Sequence, residues 1–188
     1  MATLLFFDQG HKYTLDGVEL PSVTTITRFL SYDYKSASPW LAQTAARRGS
    51  DVHAACAMLD YGEEPETDPE ISGYLKAYLR FLMDYQPDWE GIETPLYDPG
   101  MLFAGTPDRW GHINGRRVLV DIKTGVVHRH AVSAQLAGYE LLIGGFAPEE
   151  TYALRLDKSG VYELIPIRAD ADLFLWCFNI HRALKRRI

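Results

Sequence analysis

The sequence predicts a mixed α/β (α+β) domain: one central mixed sheet flanked by helices, with an N-terminal β-hairpin. Three observations carry that expectation. Asn114-Gly115 lies between alternating segments, and both residues tolerate the positive φ of a tight hairpin turn. Ile71, Tyr74, Leu75, Tyr78, Leu82 and Tyr85 recur at helical spacing. The chain reads in order as strands, helices, central strands, helix, strands, helix.

Residues 1–30 alternate and turn twice, at Gln9-Gly10 and Asp16-Gly17, which predicts two or three short strands, one of them ended by Pro21. A short helix is expected over Thr24–Leu30. Ser38 reads as an N-cap with Pro39 at the first helical position, and that helix runs towards Arg47-Arg48-Gly49. A second helix is expected from Ser50 to Gly62, with Val52, Cys56 and Leu59 as its apolar stripe and His53 on the adjacent edge. After the acidic, proline-containing loop Glu63–Pro69, an amphipathic helix spans Pro69–Tyr85. These make a helical segment over residues 38–85.

Residues 90–188 hold the central sheet and two further helices. The apolar runs Gly91–Ala104 and Val118–Ile122 flank the Asn114-Gly115 turn. In the second run Val118, Val120 and Ile122 share one face, while Leu119, Asp121 and Lys123 share the other. A strand burying one face would present Asp121 and Lys123 together. Ser133–Ile143 reads as a helix closed by Gly144-Gly145, Thr151–Ile167 as a hairpin turning at Lys158-Ser159-Gly160, and Ala171–Ile188 as a last helix with a basic tail.

At 188 residues the chain suits a single domain with a substantial core. Its 47% hydrophobic and 23% charged residues describe a globular protein without a membrane-spanning run. The N-terminus lacks the basic region of a secretory signal, and two cysteines fit a reducing, cytoplasmic setting. Cys56 and Cys177 also exclude a four-cysteine iron–sulfur or zinc site within the chain. A net charge of −6 argues against non-specific coating of nucleic acid but leaves room for a local basic rim. Arg47-Arg48, Arg116-Arg117 and His128-Arg129-His130 read as solvated surface runs.

Asp108 precedes the first hairpin arm and can reach the patch formed by Asp121 and Lys123. Two carboxylates and an ammonium suit metal-assisted phosphodiester hydrolysis: carboxylates hold a divalent ion, and the lysine orients water or stabilises the crowded phosphorus. Oxygen ligands favour Mg²⁺ or Mn²⁺ over Zn²⁺. The competing reading is an Asp–Lys ion pair on a surface hairpin. His53 taken alone is a hydrogen-bonded helix-edge histidine, and Glu93 reads as a strand-edge carboxylate rather than a site residue. Gln135 and Tyr139, four apart, share a helix face and are equally a core tyrosine with an incidental glutamine.

Pro107-Asp108 followed by Asp121-Ile122-Lys123 resembles the signature of the PD-(D/E)xK nuclease superfamily, whose core is restriction-endonuclease-like. Gln135-x3-Tyr139 resembles the Gln-x3-Tyr motif of its RecB-like branch, and Arg48-Gly49…His53 resembles the Arg-Gly-x3-His segment of that branch. The opening His11-Lys12-Tyr13…Gly17…Pro21-Ser22-Val23-Thr24 is similar to the start of phage and prophage exonucleases and of the mitochondrial genome maintenance exonuclease. The resemblance implies metal ligation by His53, Asp108, Asp121 and the Ile122 backbone carbonyl, with Lys123 as the catalytic lysine. Gln135, Tyr139 and Arg48 would contact DNA or, for the first two, brace the site. It also implies Mg²⁺ or Mn²⁺ as cofactor and a cluster-free phage-type exonuclease acting on single-stranded DNA or duplex ends. A single-strand-annealing recombination protein is the implied partner. An endonuclease of the same fold and a non-catalytic DNA-binding module remain the alternatives.

Overall fold

The computed structural model describes residues 3–7, 12–31, 39–66 and 68–185. Three short strands open the chain, β1 (Leu4–Phe7), β2 (Lys12–Leu15) and β3 (Val18–Leu20), in one antiparallel sheet. Asp16 and Gly17, at φ 49° and 83°, make the second turn as expected; the Gln9-Gly10 turn lies outside the described residues. Helix α1 (Val23–Thr27) begins under the Ser22 cap, whose Oγ accepts from the Thr25 amide at 3.0 Å, and runs into a 3₁₀ turn over Arg28–Leu30.

Helix α2 (Pro39–Asp60) is one continuous helix, where the sequence suggested two broken near Gly49. A helical glycine costs only about 1 kcal/mol relative to alanine, and burial of Val52, Ala55 and Cys56 against the sheet outweighs it. Ser38, the expected cap, lies outside the described residues. Helix α3 (Ser72–Tyr85) starts three residues later than expected, because residues 69–71 form a turn.

The Gly91–Ala104 run is not one arm of the hairpin. It is divided among β4 (Asp88–Ile92), β5 (Leu96–Asp98) and β6 (Phe103–Gly105), and β5 and β6 form a separate two-stranded ladder. The hairpin joins β7 (Arg109–Ile113) to β8 (Arg116–Lys123) through Asn114 and Gly115, at φ 50° and 76°. Helix α4 (Arg129–Ile143) begins four residues before Ser133. Strands β9 (Glu150–Leu156) and β10 (Tyr162–Pro166) form the expected hairpin, and α5 (Ala171–Lys185) closes the described chain. Among the described residues no helix is long and apolar enough to cross a membrane.

The main sheet runs β10-β9-β8-β7-β4, with β8 and β9 parallel and every other neighbour antiparallel. The parallel pair is connected through α4, as a parallel connection requires. β8 is the middle strand, and both its faces are buried, not one. Val118, Val120 and Ile122 pack into a core with α2 and α3, whereas Leu119 packs into a second core with α1, α4 and α5. Central position in a two-sided sheet explains the near-continuous apolar run. It also explains why Asp121 is enclosed rather than displayed.

Gly73 marks the closest approach of α3 to the β9–β10 turn: a Cβ there would lie 1.8 Å from the Lys158 carbonyl oxygen. The backbone would have to move, a cost of about 1–3 kcal/mol for overpacking, against about 1 kcal/mol gained from helix propensity. Gly73→Ala is therefore expected to be destabilising, with a lower urea midpoint at unchanged slope. A raised midpoint would contradict this packing.

Candidate active site

Four pieces of chain converge at one end of β7 and β8. Helix α2 presents His53 and, seven residues on, Asp60; seven residues return a helix to nearly the same face about 10 Å along its axis. The segment after β4 brings Glu93, the segment after β6 brings Asp108, and the end of β8 brings Asp121, Ile122 and Lys123.

His53 is held from both sides. Its Nδ1 lies 3.2 Å from Glu93 Oε1 and 3.6 Å from Asp108 Oδ1, and its Nε2 lies 3.1 Å from the Ile122 carbonyl oxygen. Both ring nitrogens face oxygen acceptors, an arrangement that suits the doubly protonated imidazolium. Burial by itself would lower the His53 pKa, but the Asp108 charge and the hydrogen bond and charge of Glu93 exceed it and hold the ring up at about 9.

Asp108 is 5% exposed, and its Oδ2 accepts from the Ile122 amide at 2.6 Å. That side-chain bond lies just past the last β7–β8 pair, Arg109↔Val120. Burial pushes the Asp108 carboxyl up to about 7; His53 opposes the shift, and the charges of Glu93 and Asp121 add to it. Glu93 moves the other way. Burial would raise it, but His53 and Arg109 together draw it below the usual range. Its backbone sits in the left-handed region at φ 42°, and its amide donates to the Asp108 carbonyl at 3.0 Å. A non-glycine residue there carries local strain, sustained here by the contacts around it.

Asp121 and Lys123, two apart on β8, face α4 together. Lys123 Nζ lies 2.7 Å from Asp121 Oδ2 and donates to Gln135 Oε1 at 3.2 Å. Gln135 Nε2 in turn donates to the Tyr139 hydroxyl at 3.0 Å. Gln135 and Tyr139 are both buried, so in this geometry they brace the lysine. Asp121 is 1% exposed, and its Oδ1 has no hydrogen-bond partner among the described residues. A buried carboxylate oxygen without a hydrogen-bond donor, near the Asp108 carboxyl, suits a cation as its partner.

Among the described residues, His53, Glu93 and Asp108 form a group that could hold a metal ion, each offering a ligand atom within 4.8 Å of the others. Asp121 is not one of these three, although it joins them electrostatically through Asp108. With the Ile122 carbonyl, the set is rich in oxygen and carries one imidazole, and so fits a hard divalent cation.

Arg48 lies on α2, half-buried, with its guanidinium 5.8 Å from the Tyr74 ring centroid. His128 and His130, at the start of α4, stand outside the His53 group. The Tyr13 hydroxyl shares a 2.7 Å hydrogen bond with Thr106 Oγ1, joining the N-terminal sheet to the segment that leads into Asp108.

Sequence reasoning placed Glu93 at a strand edge; the structure places it in the site. Arg109 and Asp60 were not singled out at all. The one available signal was alternation: Arg109, Gly111 and Ile113 share the inward face of β7, so an arginine in that row is buried and must be paired.

No protein-family model and no curated protein sequence matches the chain. Among solved structures, the alkaline exonuclease LHK-Exo from Laribacter hongkongensis aligns over 89% of this chain and 92% of its own, at 14% identity and a TM-score of 0.39. The LHK-Exo complex with dAMP aligns over the same shares at 14% identity and a TM-score of 0.40. A likeness this distant assigns no residue a role.

A cation binds the deprotonated forms of His53 and Asp108, so protons compete with it. Affinity should therefore rise with pH while either group remains protonated without the ion, by at most about tenfold per pH unit for each proton displaced. Calorimetric titration with Mn²⁺ between pH 6 and 8, in buffers of different ionisation heat, should record tighter binding and proton release as pH rises. Affinity independent of pH would show that neither group ligates.

Proposed function

We propose that residues 1–188 form a single divalent-metal-dependent deoxyribonuclease domain of the PD-(D/E)xK superfamily, RecB-like and without an iron–sulfur cluster. The observation that carries this reading is the clustering of His53, Glu93 and Asp108, with ligand atoms within 4.8 Å of one another, at the strand end that also carries Asp121 and Lys123.

The cation would be Mg²⁺ or Mn²⁺, held by Asp108, Asp121, His53 and the Ile122 carbonyl, with Glu93 added to that set. When bound, it supplies positive charge to the scissile phosphate and makes a coordinated water more acidic. The chain supplies the rest. Asp108 is fixed through Oδ2 by the Ile122 amide, so Oδ1, beside His53, keeps a constant direction. Lys123 keeps its ammonium between Asp121 and Gln135, where it can orient the attacking water and meet the charge that develops on phosphorus. Gln135 and Tyr139 limit the freedom of that ammonium, and Arg48 on α2 is assigned a phosphate contact.

The substrate is DNA, single-stranded or at duplex ends, and exonucleolytic action is favoured by the motif order shared with phage-type recombination and repair exonucleases. A cytoplasmic setting and a single-strand-annealing partner belong to the same proposal.

Asp121→Asn and Lys123→Ala should each lower Mg²⁺- or Mn²⁺-dependent cleavage by about 10²-fold or more, with unchanged circular dichroism. The assay uses end-labelled single- and double-stranded DNA with free and blocked ends. Full activity in either folded variant would refute the proposal. Digestion of closed single-stranded circles would identify an endonuclease, and DNA binding without turnover under any divalent ion would identify a non-catalytic module.

A further inference from the structure

Behind the metal-binding group lies a second set of charges. Arg109 is fully buried, and its guanidinium reaches three oxygens. Nε donates to Asp60 Oδ2 at 2.6 Å, and Nη1 donates to Glu93 Oε1 at 3.0 Å and to the Asp108 carbonyl at 2.6 Å. Asp60, at the last turn of α2, is saturated from its other side. The Tyr78 hydroxyl donates to its carboxylate at 2.7 and 2.8 Å, and Trp89 Nε1 donates at 3.2 Å. The guanidinium also lies 6.0 Å from the Tyr78 ring centroid.

This network is a costly way to fill an apolar space. Arg109 and Asp60 are buried beside Tyr78 and Cys56, two residues of the α2–α3 core, where apolar side chains would pack without desolvating a charge. Arg109 Nη2 is buried with no hydrogen-bond partner among the described residues, so the network there does not use every donor. What it does fix is direction. A planar guanidinium with Nε on Asp60 places Nη1 on Glu93 and on the Asp108 main chain together, which a flexible ammonium could not do. Asp60 stands on the same helix as His53, so one rigid element sets both the imidazole and the anchor of the arginine.

We propose that Arg109, locked by Asp60, is a positioning residue that holds Glu93 and the Asp108 backbone in register with His53, and so preorganises the cation site. The inference rests on the reading of this site as a divalent-cation site. Arg109 touches neither cation nor DNA and acts through the two residues it holds.

Arg109→Lys keeps the charge and loses the fork; Asp60→Asn keeps the shape and loses the anchoring charge, and it carries the test if the lysine variant does not fold. Mn²⁺ binding is measured by calorimetry on the purified full chain, with thermal melting of the metal-free protein and steady-state kinetics on end-labelled DNA alongside. The expected result is Mn²⁺ affinity weakened about tenfold or more in the folded variants, with kcat reduced and KM for DNA unchanged. Mn²⁺ affinity within twofold of the unmodified protein, accompanied only by a lower melting temperature, would overturn the inference and leave Arg109 a structural ion pair. Absence of Mn²⁺ binding in the unmodified protein would instead overturn the cation-site reading on which it stands.

Discussion

The main chain of Ile122 meets two catalytic candidates at once. Its amide donates to Asp108 Oδ2, and its carbonyl accepts from His53 Nε2. Ile122 is paired with Leu154 of β9, which leaves its main chain little freedom to move. The separation of the acid from the imidazole is thus fixed by backbone geometry in the middle of the sheet, not by side-chain rotamers. Every other feature of the site depends on this placement. Asp121 and Lys123 flank Ile122 on the opposite face, so the two walls of the site differ by one residue of the same strand.

That alternation explains how a buried β-sheet hosts so many charges. The α2 face of β8 receives Arg109, Asp60, Glu93 and His53, and the α4 face receives Asp121, Lys123 and Gln135. Each carboxylate lies beside a cation, and each cation is held by more than one oxygen. At Asp108 burial raises the proton affinity, His53 opposes it, and the charges of Glu93 and Asp121 add to it. Negative charge is therefore concentrated where a metal ion would relieve it, while the surroundings stay nearly balanced. Such local concentration separates a binding site from a surface ion pair, whose contribution is typically under about 1 kcal/mol.

Much of this was legible in the sequence because the informative residues lie in short, rigid elements. Asn114-Gly115 sets the β7–β8 turn, and period-two alternation then puts Asp121 beside Lys123 without any tertiary knowledge. The Gln135–Tyr139 pairing follows from helical spacing in the same way. Glu93 was misjudged for a different reason. It lies in an irregular segment with a left-handed backbone, where neither periodicity applies, and only tertiary contacts reveal its direction. The continuity of α2 through Gly49 was obscured because a helical glycine is locally unfavourable but tertiary burial decides. Arg109 and Asp60 are 49 positions apart, and nothing local signals that they meet.

The sequence separations within the site differ sharply. Lys123 and Gln135 are 12 positions apart and joined through a single strand–helix connection, whereas His53 reaches across 69 positions to Ile122 and 40 to Glu93. Contacts that close long loops form late and at greater entropic cost than local ones. The lysine arm thus lies within the sheet's own crossover, whereas the His53 half also needs α2 docked against the sheet. A local opening that lifts α2 away removes His53 and the anchor of Arg109 together, while Asp121, Lys123 and Gln135 remain in place on the intact sheet, ready for the helix to return.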